Sequence, residues 1–420
     1  MNSRERVYKA IHHQTPDRVP VDLGSTGQTG INASTLYKLR EAMGLDMHPI
    51  IINEIFQMLG DVEEDLRRAV GADVIGINNP SDMFGTKMSG RKPFVLSDHT
   101  PTLINNKLEY DVCKDGSILV YPQGDRNFPP SGKMPSGGYF FDNINHTPAF
   151  DEDNLTPAED FKESFGTMSD EDARYVENKA IQLYENTEYA LIGNLGGAGL
   201  GDAAMVPGPH EKNPRGIRNF DDWLMAHLLF PDYIKEVFEL QTSVMLKNLE
   251  IYRQAVGEKI QIVWISGTDF GTQNAGFFSA NTFRELYKPY YKRINNWVHQ
   301  NTGWKTFYHS CGSIVDYLDD FVDMGVDILN PVQLSAKGMD ARILKEKYGN
   351  KLVFWGGGVD TQHTLPYGSP AEVRKQVLER LEILSPDGGY VFNTIHNIVA
   401  GTPVENLIAM FDAVKEFNKS

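Results

Sequence analysis

The chain has 420 residues, a formal net charge of −16 and 41% hydrophobic residues. An acidic balance without a Lys/Arg-rich run makes nucleic acids and anionic membranes poor partners. No apolar run approaches the roughly 18 residues of a membrane span, and the first residues lack the apolar core of a signal peptide. Two cysteines cannot build a disulfide framework, so we expect a soluble cytoplasmic protein with reduced thiols.

Eight short runs rich in Val, Ile, Leu and Phe predict the strands. Most of them are continuously apolar, as expected for strands that are buried on both faces of a parallel sheet. In chain order they are residues 19–24, 72–78, 189–195, 261–267, 304–311, 326–332, 351–358 and 389–397.

Helical patterns lie between most of these runs. They cover residues 32–45, 61–70, 172–186, 232–256, 281–300, 313–324, 340–348, 371–384 and 404–417. Eight strands alternating with helices predict an α/β fold, a single (β/α)8 TIM barrel spanning residues 1–420. A doubly wound open sheet is the alternative, and it would need a Gly-x-Gly-x-x-Gly turn after an early strand.

The glycines after the third run bear on that alternative. They are Gly193, Gly196, Gly197, Gly199 and Gly201. The sequence then continues as an Ala/Met/Pro-rich loop rather than as a helix, which favours an active-site loop over a dinucleotide-binding turn.

Residues 85–170 interrupt the alternation of strands and helices. Two short apolar stretches, 108–112 and 117–121, flank the segment from Cys113 to Gly116 and predict a β-hairpin. An insertion after strand two lies on the C-terminal face of a barrel, where substrates bind. It could be a lid, a docking element for a partner, or a subdomain without a role in the site.

Polar residues follow the ends of the predicted strands. In a barrel, groups at the C-terminal strand ends carry chemistry. The candidates for substrate binding are Asn78, Asn194, Gln273, Asn330 and Asn393. Asp269, after strand four, could orient a substrate, act as an acid or base, or cap its loop.

His309 and Cys311 leave strand five on the same side, because side chains alternate along a strand. An imidazole and a thiolate held side by side are two zinc ligands, and His396 at the end of strand eight is a third candidate. Three N/S ligands that leave one position open are typical of catalytic Zn²⁺. The alternatives are a hydrogen-bonded histidine beside an ordinary thiol, and a substrate-binding or structural role for His396.

Several segments together carry a resemblance to a known family. They are Arg6-Val7 through Pro16-Asp17-Arg18-Val19-Pro20-Val21, Gly71-Ala72-Asp73-Val74, Phe283 through Lys288-Pro289-Tyr290-Tyr291-Lys292, His309-Ser310-Cys311-Gly312, Gly325-Val326-Asp327, and Phe392 through His396 followed by Thr402-Pro403-Val404-Glu405-Asn406. Through them the chain resembles the uroporphyrinogen decarboxylase superfamily, and more closely its corrinoid-dependent methyltransferase branch. The segments span nearly the whole chain apart from the insertion, and they are specific for the superfamily, though not for one activity.

The resemblance implies a (β/α)8 barrel and a metal site. In the methylcobamide:coenzyme M methyltransferases of this group, zinc is held by a His-x-Cys pair and a later Cys. The first two match His309 and Cys311, and the later Cys falls in the segment where this chain has His396. In the decarboxylases the same segment carries a substrate-binding histidine, so the resemblance is compatible with either role for His396.

Uroporphyrinogen decarboxylation itself is not expected. The family binds its polycarboxylate substrate with an Arg-x-x-x-Arg segment after the first strand, whereas residues 23–30 of this chain contain no arginine. A polyanion in an acidic protein without clustered guanidinium groups would be poorly compensated.

The resemblance implies a zinc-dependent methyltransferase that moves a methyl group between a small thiol or methoxy substrate and a corrinoid such as methylcobalamin. The chain has no Asp-x-His-x-x-Gly cobalamin signature, so a separate corrinoid protein would dock near the insertion. One alternative is a metal-free, decarboxylase-like lyase acting on a smaller substrate through Asp269 and His396. Another is a barrel that binds a tetrapyrrole or corrinoid without catalysis. The sequence is compatible with a homodimer.

Overall fold

The computed structural model describes residues 1–419. Its strands are β1 (Ile50–Glu54), β2 (Leu59–Gly60), β3 (Val74–Ile77), β4 (Arg91–Val95), β5 (Pro101–Asn105), β6 (Tyr110–Val112), β7 (Ile118–Val120), β8 (Gly132–Met134), β9 (Asp142–Asn143), β10 (Ala190–Gly193), β11 (Ile262–Ser266), β12 (Lys305–His309), β13 (Ile328–Asn330), β14 (Val353–Trp355) and β15 (Tyr390–Val391).

Along the sequence, most of the α-helices alternate with the strands of the central sheet. They are α1 (Ser3–Ile11), α2 (Ala33–Ala42), α3 (Glu64–Val70), α4 (Pro157–Asp160), α5 (Asp170–Asn186), α6 (Phe220–Leu229), α7 (Pro231–Val256), α8 (Ala280–Leu286), α9 (Lys288–Asn301), α10 (Leu318–Asp323), α11 (Ala341–Tyr348), α12 (Thr364–Tyr367), α13 (Pro370–Leu384) and α14 (Val404–Phe417). Among the helices of residues 1–419, none has the length and apolar character to cross a bilayer.

The central sheet has seven strands in the order β15-β14-β13-β12-β11-β10-β3. All neighbours are parallel, and each of these strands lies within a predicted run. Neighbouring strands follow one another along the chain, which excludes the doubly wound alternative, in which the strand order reverses.

The first predicted run, residues 19–24, bridges the two edges of this sheet. Val21 forms a parallel bridge with Phe392, beyond β15. On its other side the Val21 carbonyl accepts the Asp73 N–H, just before β3, at 2.7 Å. The molecule is therefore an α/β protein with a curled parallel sheet, an arrangement consistent with the predicted barrel.

Helix α1 seals the end of the barrel at which the strands begin. It starts with a capping box between Asn2 and Glu5, and it packs Val7, Ala10 and Ile11 against the apolar interior. The interior side chains of this cluster are Val74, Ala190, Ile192, Ile262, Phe307, Ile328, Val353, Trp355 and Val391. With this end filled, polar chemistry is confined to the end at which the strands finish.

Asp73 carries a buried charge at the sealed end, and four donors surround it. Its Oδ1 accepts from Arg6 Nη1 at 2.7 Å, Arg18 Nη2 at 2.8 Å and Ser3 Oγ at 2.6 Å. Its Oδ2 accepts the Val21 N–H at 3.0 Å. This carboxylate is fully compensated, and it joins α1 to the first two strands of the barrel.

The hairpin predicted within residues 85–170 is confirmed. Strands β6 and β7 are antiparallel with Tyr110 opposite Val120, and the Gly116 N–H closes the turn on the Cys113 carbonyl at 2.9 Å. They continue into β8 and β9 as one four-stranded sheet.

A second sheet joins the insertion to an earlier segment. Strand β1, which the sequence patterns did not predict, pairs in parallel with β5 and antiparallel with β2. The sheet order is β2-β1-β5-β4. Residues 85–170 are therefore built together with residues 50–60, rather than standing apart from the rest of the chain.

Two helical regions differ from the predicted patterns. The pattern over residues 281–300 is two helices, α8 and α9, because Pro289 lies in the first turn of α9 and interrupts the pattern there. Helix α6 was not predicted, because it is apolar on most sides and lacks a clear 3.6-residue period. Its residues Met225, Leu228 and Leu229 are exposed.

Candidate metal centre and adjoining cavity

His309 and Cys311 lie together where β12 ends. The Cys311 Sγ is 3.3 Å from the His309 Nε2. On the other side of the ring, Nδ1 is 2.6 Å from the Oδ1 of Asn330, the residue opposite His309 in β13. The Asn330 Nδ2 donates to the Trp355 carbonyl at 2.8 Å, so its Oδ1 accepts and His309 Nδ1 carries the proton. The Nε2 lone pair is thereby directed toward Cys311, as for a metal-binding histidine.

A left-handed turn brings His396 to the same place. His396 follows β15 with a φ of +68°, a backbone conformation that is uncommon outside glycine. The Thr394 hydroxyl donates to the His396 carbonyl at 2.5 Å. The His396 and His309 ring centroids are 5.1 Å apart. The turn thus provides the reach across the barrel mouth from a strand that does not neighbour β12.

The three side chains can supply one ligand shell. One ligand atom each from His309, Cys311 and His396 lies within 4.8 Å of the other two. Burial lowers the pKa of His309 to about 4, and burial together with His309 lowers the pKa of His396. Both imidazoles are therefore neutral at pH 7, the form that binds metals. Two nitrogens and one sulfur are a donor set that suits Zn²⁺.

Asp269 holds the turn that carries Cys311. Its Oδ1 accepts the Cys311 N–H at 2.7 Å and lies 3.7 Å from His309 Nε2. Its side chain is 41% exposed, so the centre has an opening at this carboxylate. Burial, followed by the Asp269 charge, raises the pKa of the Cys311 thiol well above its ordinary value. A cation in the centre would offset that repulsion.

A cavity of about 750 Å³ lies beside the candidate metal centre. It extends from the strand ends toward residues of the insertion and is of the size that holds small-molecule ligands. The loop of residues 196–208 contributes Gly196, Gly197, Gly199 and Gly201 to its wall. The next α-helix starts only at Phe220. The glycines therefore line a cavity rather than form a dinucleotide-binding turn.

Asp202 links the cavity to the candidate metal centre. His309, Cys311 and His396 are not among the lining residues, whereas Asp202 is. Burial raises the pKa of Asp202 to about 7, and the charge of Asp269 adds to that shift. Asp202 in turn raises the pKa of Cys311. A Cβ on Gly267, two residues before Asp269, would lie 3.4 Å from the Asp202 carboxylate, so the cavity and the candidate centre are neighbouring parts of one site.

Two further acids of the cavity wall, Glu54 and Asp82, are half-buried. Burial raises the pKa of Glu54 to about 7 and that of Asp82 to about 6. Glu54 ends β1 and accepts the N–H groups of Phe56 and Gln57 at 2.8 and 2.7 Å. Glu54 was not among the predicted site residues, although its position directly after a short apolar run was the available signal.

Of the residues predicted to bind substrate, Asn78 and Asn194 line the cavity. The Asn194 Nδ2 donates to Asn78 Oδ1 at 3.1 Å. Gln273 does not line it; it is exposed and donates to Gln362 at 3.0 Å. Asn330 and Asn393 are buried within the barrel, where Asn393 donates to the Asp22 carbonyl. The side chains of these three contact the protein itself, and their part in binding a substrate stays a prediction.

Comparisons with known proteins agree with this fold. The sequence model of the family described as "Uroporphyrinogen decarboxylase (URO-D)" matches residues 145–417. A curated uroporphyrinogen decarboxylase of Anaeromyxobacter dehalogenans (strain 2CP-C) is 27% identical over 243 residues, 57% of this chain and 62% of that protein. The match thus spans less than two thirds of the relative's length.

A solved structure resembles the chain over its whole length. It is a methyltransferase from Methanosarcina mazei, with a TM-score of 0.55, 17% sequence identity and 99% of both chains covered. At that identity the likeness establishes a shared fold.

Proposed function

The chain belongs to the uroporphyrinogen decarboxylase family, and from that premise we propose that it is a zinc-dependent methyltransferase. It moves a methyl group between a small thiol or methyl ether and a corrinoid that a separate protein carries. The observation that carries the proposal is the cluster of His309, Cys311 and His396, whose ligand atoms lie within 4.8 Å of one another. The methyltransferase from Methanosarcina mazei, which shares the fold, is a second support.

His309, Cys311 and His396 would hold the zinc ion. Bound there, it would act as a Lewis acid toward the heteroatom of the substrate. Asn330 keeps the proton of His309 on Nδ1, so that Nε2 stays free. Asp269 accepts the Cys311 N–H and fixes the position of the turn that carries the thiol. These two residues thus orient the ligands before any ion arrives.

We propose that the substrate occupies the cavity and that the corrinoid protein docks over the strand ends, beside residues 85–170. Asp269, 41% exposed at the opening of the centre, and Asp202, in the cavity wall, are the groups best located to exchange a proton with the substrate heteroatom. The barrel interior below them is closed by α1 and apolar packing, which excludes water from that side.

Metal content is the first test, and the chain offers a matched control for it. Its only two cysteines are both free, Cys311 in the centre and Cys113 in the turn of the hairpin. We expect about one equivalent of zinc in protein purified without added metal. Cys311→Ser should lose it and Cys113→Ser should keep it, as read by elemental analysis. Metal-free wild-type protein, or zinc retained in Cys311→Ser, would contradict the proposal.

The direction of transfer is tested with the wild-type protein and free cobalamin. Absorption spectra distinguish methylcobalamin from cob(I)alamin, so thiols and methyl ethers can be screened as acceptors and donors. Loss of the spectral change in Cys311→Ser but not in Cys113→Ser would link it to the centre. A spectrum that no thiol or methyl ether alters would contradict methyl transfer.

One observation favours a second candidate, a metal-free lyase acting on a small carboxylate. Asp269 lies 3.7 Å from His309, whose ring contacts that of His396, so a carboxylate and an imidazole are grouped as in an acid–base pair. That candidate requires release of carbon dioxide by metal-free protein and its loss in Asp269→Asn. Protein that carries zinc, and that loses its activity together with the zinc, excludes it.

A further inference from the structure

Two arginines lie in the cavity wall, Arg218 and Arg91, and they differ in their partners. Arg218 is 1% exposed and donates to both oxygens of Glu211 at 2.8 and 2.9 Å. Arg91 is exposed, and its guanidinium group has neither a hydrogen-bond nor an ion-pair partner among residues 1–419. Its charge and its N–H donors are therefore available to a ligand in the cavity.

The surroundings of Arg91 leave its charge uncompensated. Arg91 begins β4, opposite Asn105 of β5. The Asn105 amide is already used, because it accepts the Lys107 N–H at 3.2 Å and donates to the Lys87 carbonyl at 3.0 Å. Asp61, whose charge acts on Arg91, forms no ion pair with it and instead accepts from Asn53 at 2.8 Å.

Helix α5 neutralises a different cation of the insertion. Asp172 and Tyr175 lie one turn apart on this helix, and both line the cavity. Asp172 forms an ion pair with Lys87, which is not part of the cavity wall. Of these two cations of the insertion, Lys87 is thus paired outside the cavity, whereas Arg91 is unpaired in its wall.

The hydroxyl of Tyr175 is a second free donor in the same wall, without a hydrogen-bond partner among residues 1–419. Burial raises the pKa of Tyr175, and the charge of Arg91 opposes that shift, so the phenol keeps its proton at pH 7 and can donate. The parallel N–H donors of a guanidinium group match the two oxygens of a carboxylate, and such charge-assisted hydrogen bonds are roughly twice as strong as neutral ones.

The acids of the wall limit the negative charge that a ligand can carry. Glu54, Asp82 and Asp202 line the same cavity, and their pKa values between about 6 and 7 give them part of a charge at pH 7. No lysine of residues 1–419 lines the cavity, so Arg91 is the one unpaired guanidinium or ammonium group there. A dianionic phosphate or a polycarboxylate would leave charge without a cation beside these acids.

The rest of the wall suits the uncharged part of a ligand. Leu195, Phe165, Trp223 and Trp264 contribute apolar and aromatic surface to it, and aromatic side chains provide large contact areas for rings. A volume of about 750 Å³ is in the range for ligands of drug-like size. A carboxylate bound at Arg91 therefore leaves room for a ring or a chain.

We propose that Arg91 and Tyr175 form a subsite that binds one carboxylate group of the ligand, while the uncharged remainder of the ligand lies along the aromatic part of the cavity wall. The inference rests on the proposed function in one respect, namely that this ligand is the substrate in methyl transfer. The carboxylate is then a recognition group that takes no part in the reaction.

The test is direct binding to the full-length protein, with three probes that share a phenyl ring and differ in charge. They are 3-phenylpropanoate, the uncharged 3-phenylpropanamide and the dianionic 2-phenylethyl phosphate, measured by calorimetry at slightly alkaline pH. None of them carries a methyl group to transfer. We expect the propanoate to bind about 10-fold more tightly than the amide or the phosphate. Equal or tighter binding of the amide or of the phosphate overturns the inference, and so does a failure of all three to bind.

Variants locate the binding at the subsite. Arg91→Gln should remove the preference for the propanoate over the amide, and Tyr175→Phe should weaken binding of the propanoate by roughly 3- to 10-fold. Arg174→Gln is the matched control, because Arg174 precedes Tyr175 on α5, is exposed and lies outside the cavity wall. A preference that survives Arg91→Gln, or that Arg174→Gln removes as well, overturns the inference. Tyr175→Phe with the wild-type probe series decides it if Arg91→Gln does not fold.

Binding and metal content fail independently. Selective binding of the propanoate by metal-free protein would contradict the proposed zinc chemistry and leave this inference intact. Zinc-loaded protein that binds the amide as tightly as the propanoate would do the reverse.

Discussion

The acids at the two ends of the barrel differ in their hydrogen-bond and ion-pair partners. At the sealed end, Asp73 is fully buried and accepts from two arginines, a hydroxyl and a backbone N–H. At the open end, Glu54, Asp82 and Asp202 are half-buried in the cavity wall without a basic partner, and their pKa values rise to between about 6 and 7. A carboxylate with basic partners stabilises the packing of the elements that it joins. A carboxylate without them is available to a ligand or a proton.

The largest expected effect is at the sealed end. Asp73→Asn removes the charge shared by Arg6 and Arg18, and breaking a buried pair from one side costs about 3 kcal/mol or more. We expect the free energy of unfolding, from denaturant titration, to fall by that amount. Asp323→Asn, which removes exposed ion pairs with Lys288 and Lys292, should cost under about 1 kcal/mol. If the two changes lowered the free energy of unfolding equally, the buried ion pairs of Asp73 would contribute no more to stability than the exposed ones of Asp323.

At the open end the comparison predicts a pH dependence. Burial raises the folded pKa of Glu54 from 4.5 to about 7, so the folded protein binds the proton more tightly than the unfolded chain. Stability from Glu54 is therefore fully present below pH 4.5 and is lost as the pH rises toward 7. Relative to Glu54→Gln, we expect wild-type unfolding free energy to fall by about 2 kcal/mol across that window.

The control for this measurement is Glu379→Gln on the exposed face of α13. It makes the same chemical change at a side chain outside the cavity wall, so the effect particular to Glu54 is the difference between the two variants. A wild-type protein whose stability relative to Glu54→Gln rises between those pH values would mean that Glu54 has an unrecognised cationic partner.

A smaller effect concerns metal affinity. Asn330→Leu removes the acceptor that holds the His309 Nδ1 proton, and such outer partners are worth about 10- to 100-fold in affinity. We expect that loss in a competition titration with a chromophoric zinc chelator. Gln273→Leu, an exposed strand-end amide, should bind zinc as wild type does. Unchanged affinity in Asn330→Leu would show that the imidazole is oriented by other groups.

The smallest effect is expected at Asp202. Asp202→Asn keeps the shape of the side chain, and the Ala204 N–H that Oδ1 accepts at 2.8 Å can still be bound. Without an ion pair to lose, the unfolding free energy should stay within about 1 kcal/mol of wild type. A loss as large as that of Asp73→Asn would mean that the two ends of the barrel do not differ.

The repeating part of the fold was predictable from local patterns. All seven strands of the central sheet lie within predicted apolar runs, because a strand buried on both faces is apolar throughout. Strand β1 was missed, since its partner β5 begins some 50 residues later and nothing local indicates that pairing. Helix α6 was missed because its exposed face carries Met225, Leu228 and Leu229.

The candidate site, like the fold, was predictable only where local sequence patterns determine it. The contact of His309 with Cys311 follows from alternation along one strand, and His396 follows from the convergence of strand ends. The cavity depends on pairings between distant segments, so Trp223 and Trp264 carried no signal of their roles, and Glu54 carried only its position directly after a short apolar run. Asn330 was predicted as a substrate residue, yet both ends of its amide bond to the protein, because strand-end position does not tell where a side chain points.

The parallel pairing of β1 with β5 limits how the insertion can be transplanted or removed. Deleting residues 85–170 would take away β5 and leave β1 as an open sheet edge that carries Ile50 and Ile52, both now buried. An apolar edge of that kind recruits other chains and promotes aggregation. The insertion is therefore not a detachable module, and chimeras that exchange it need to exchange residues 50–60 with it.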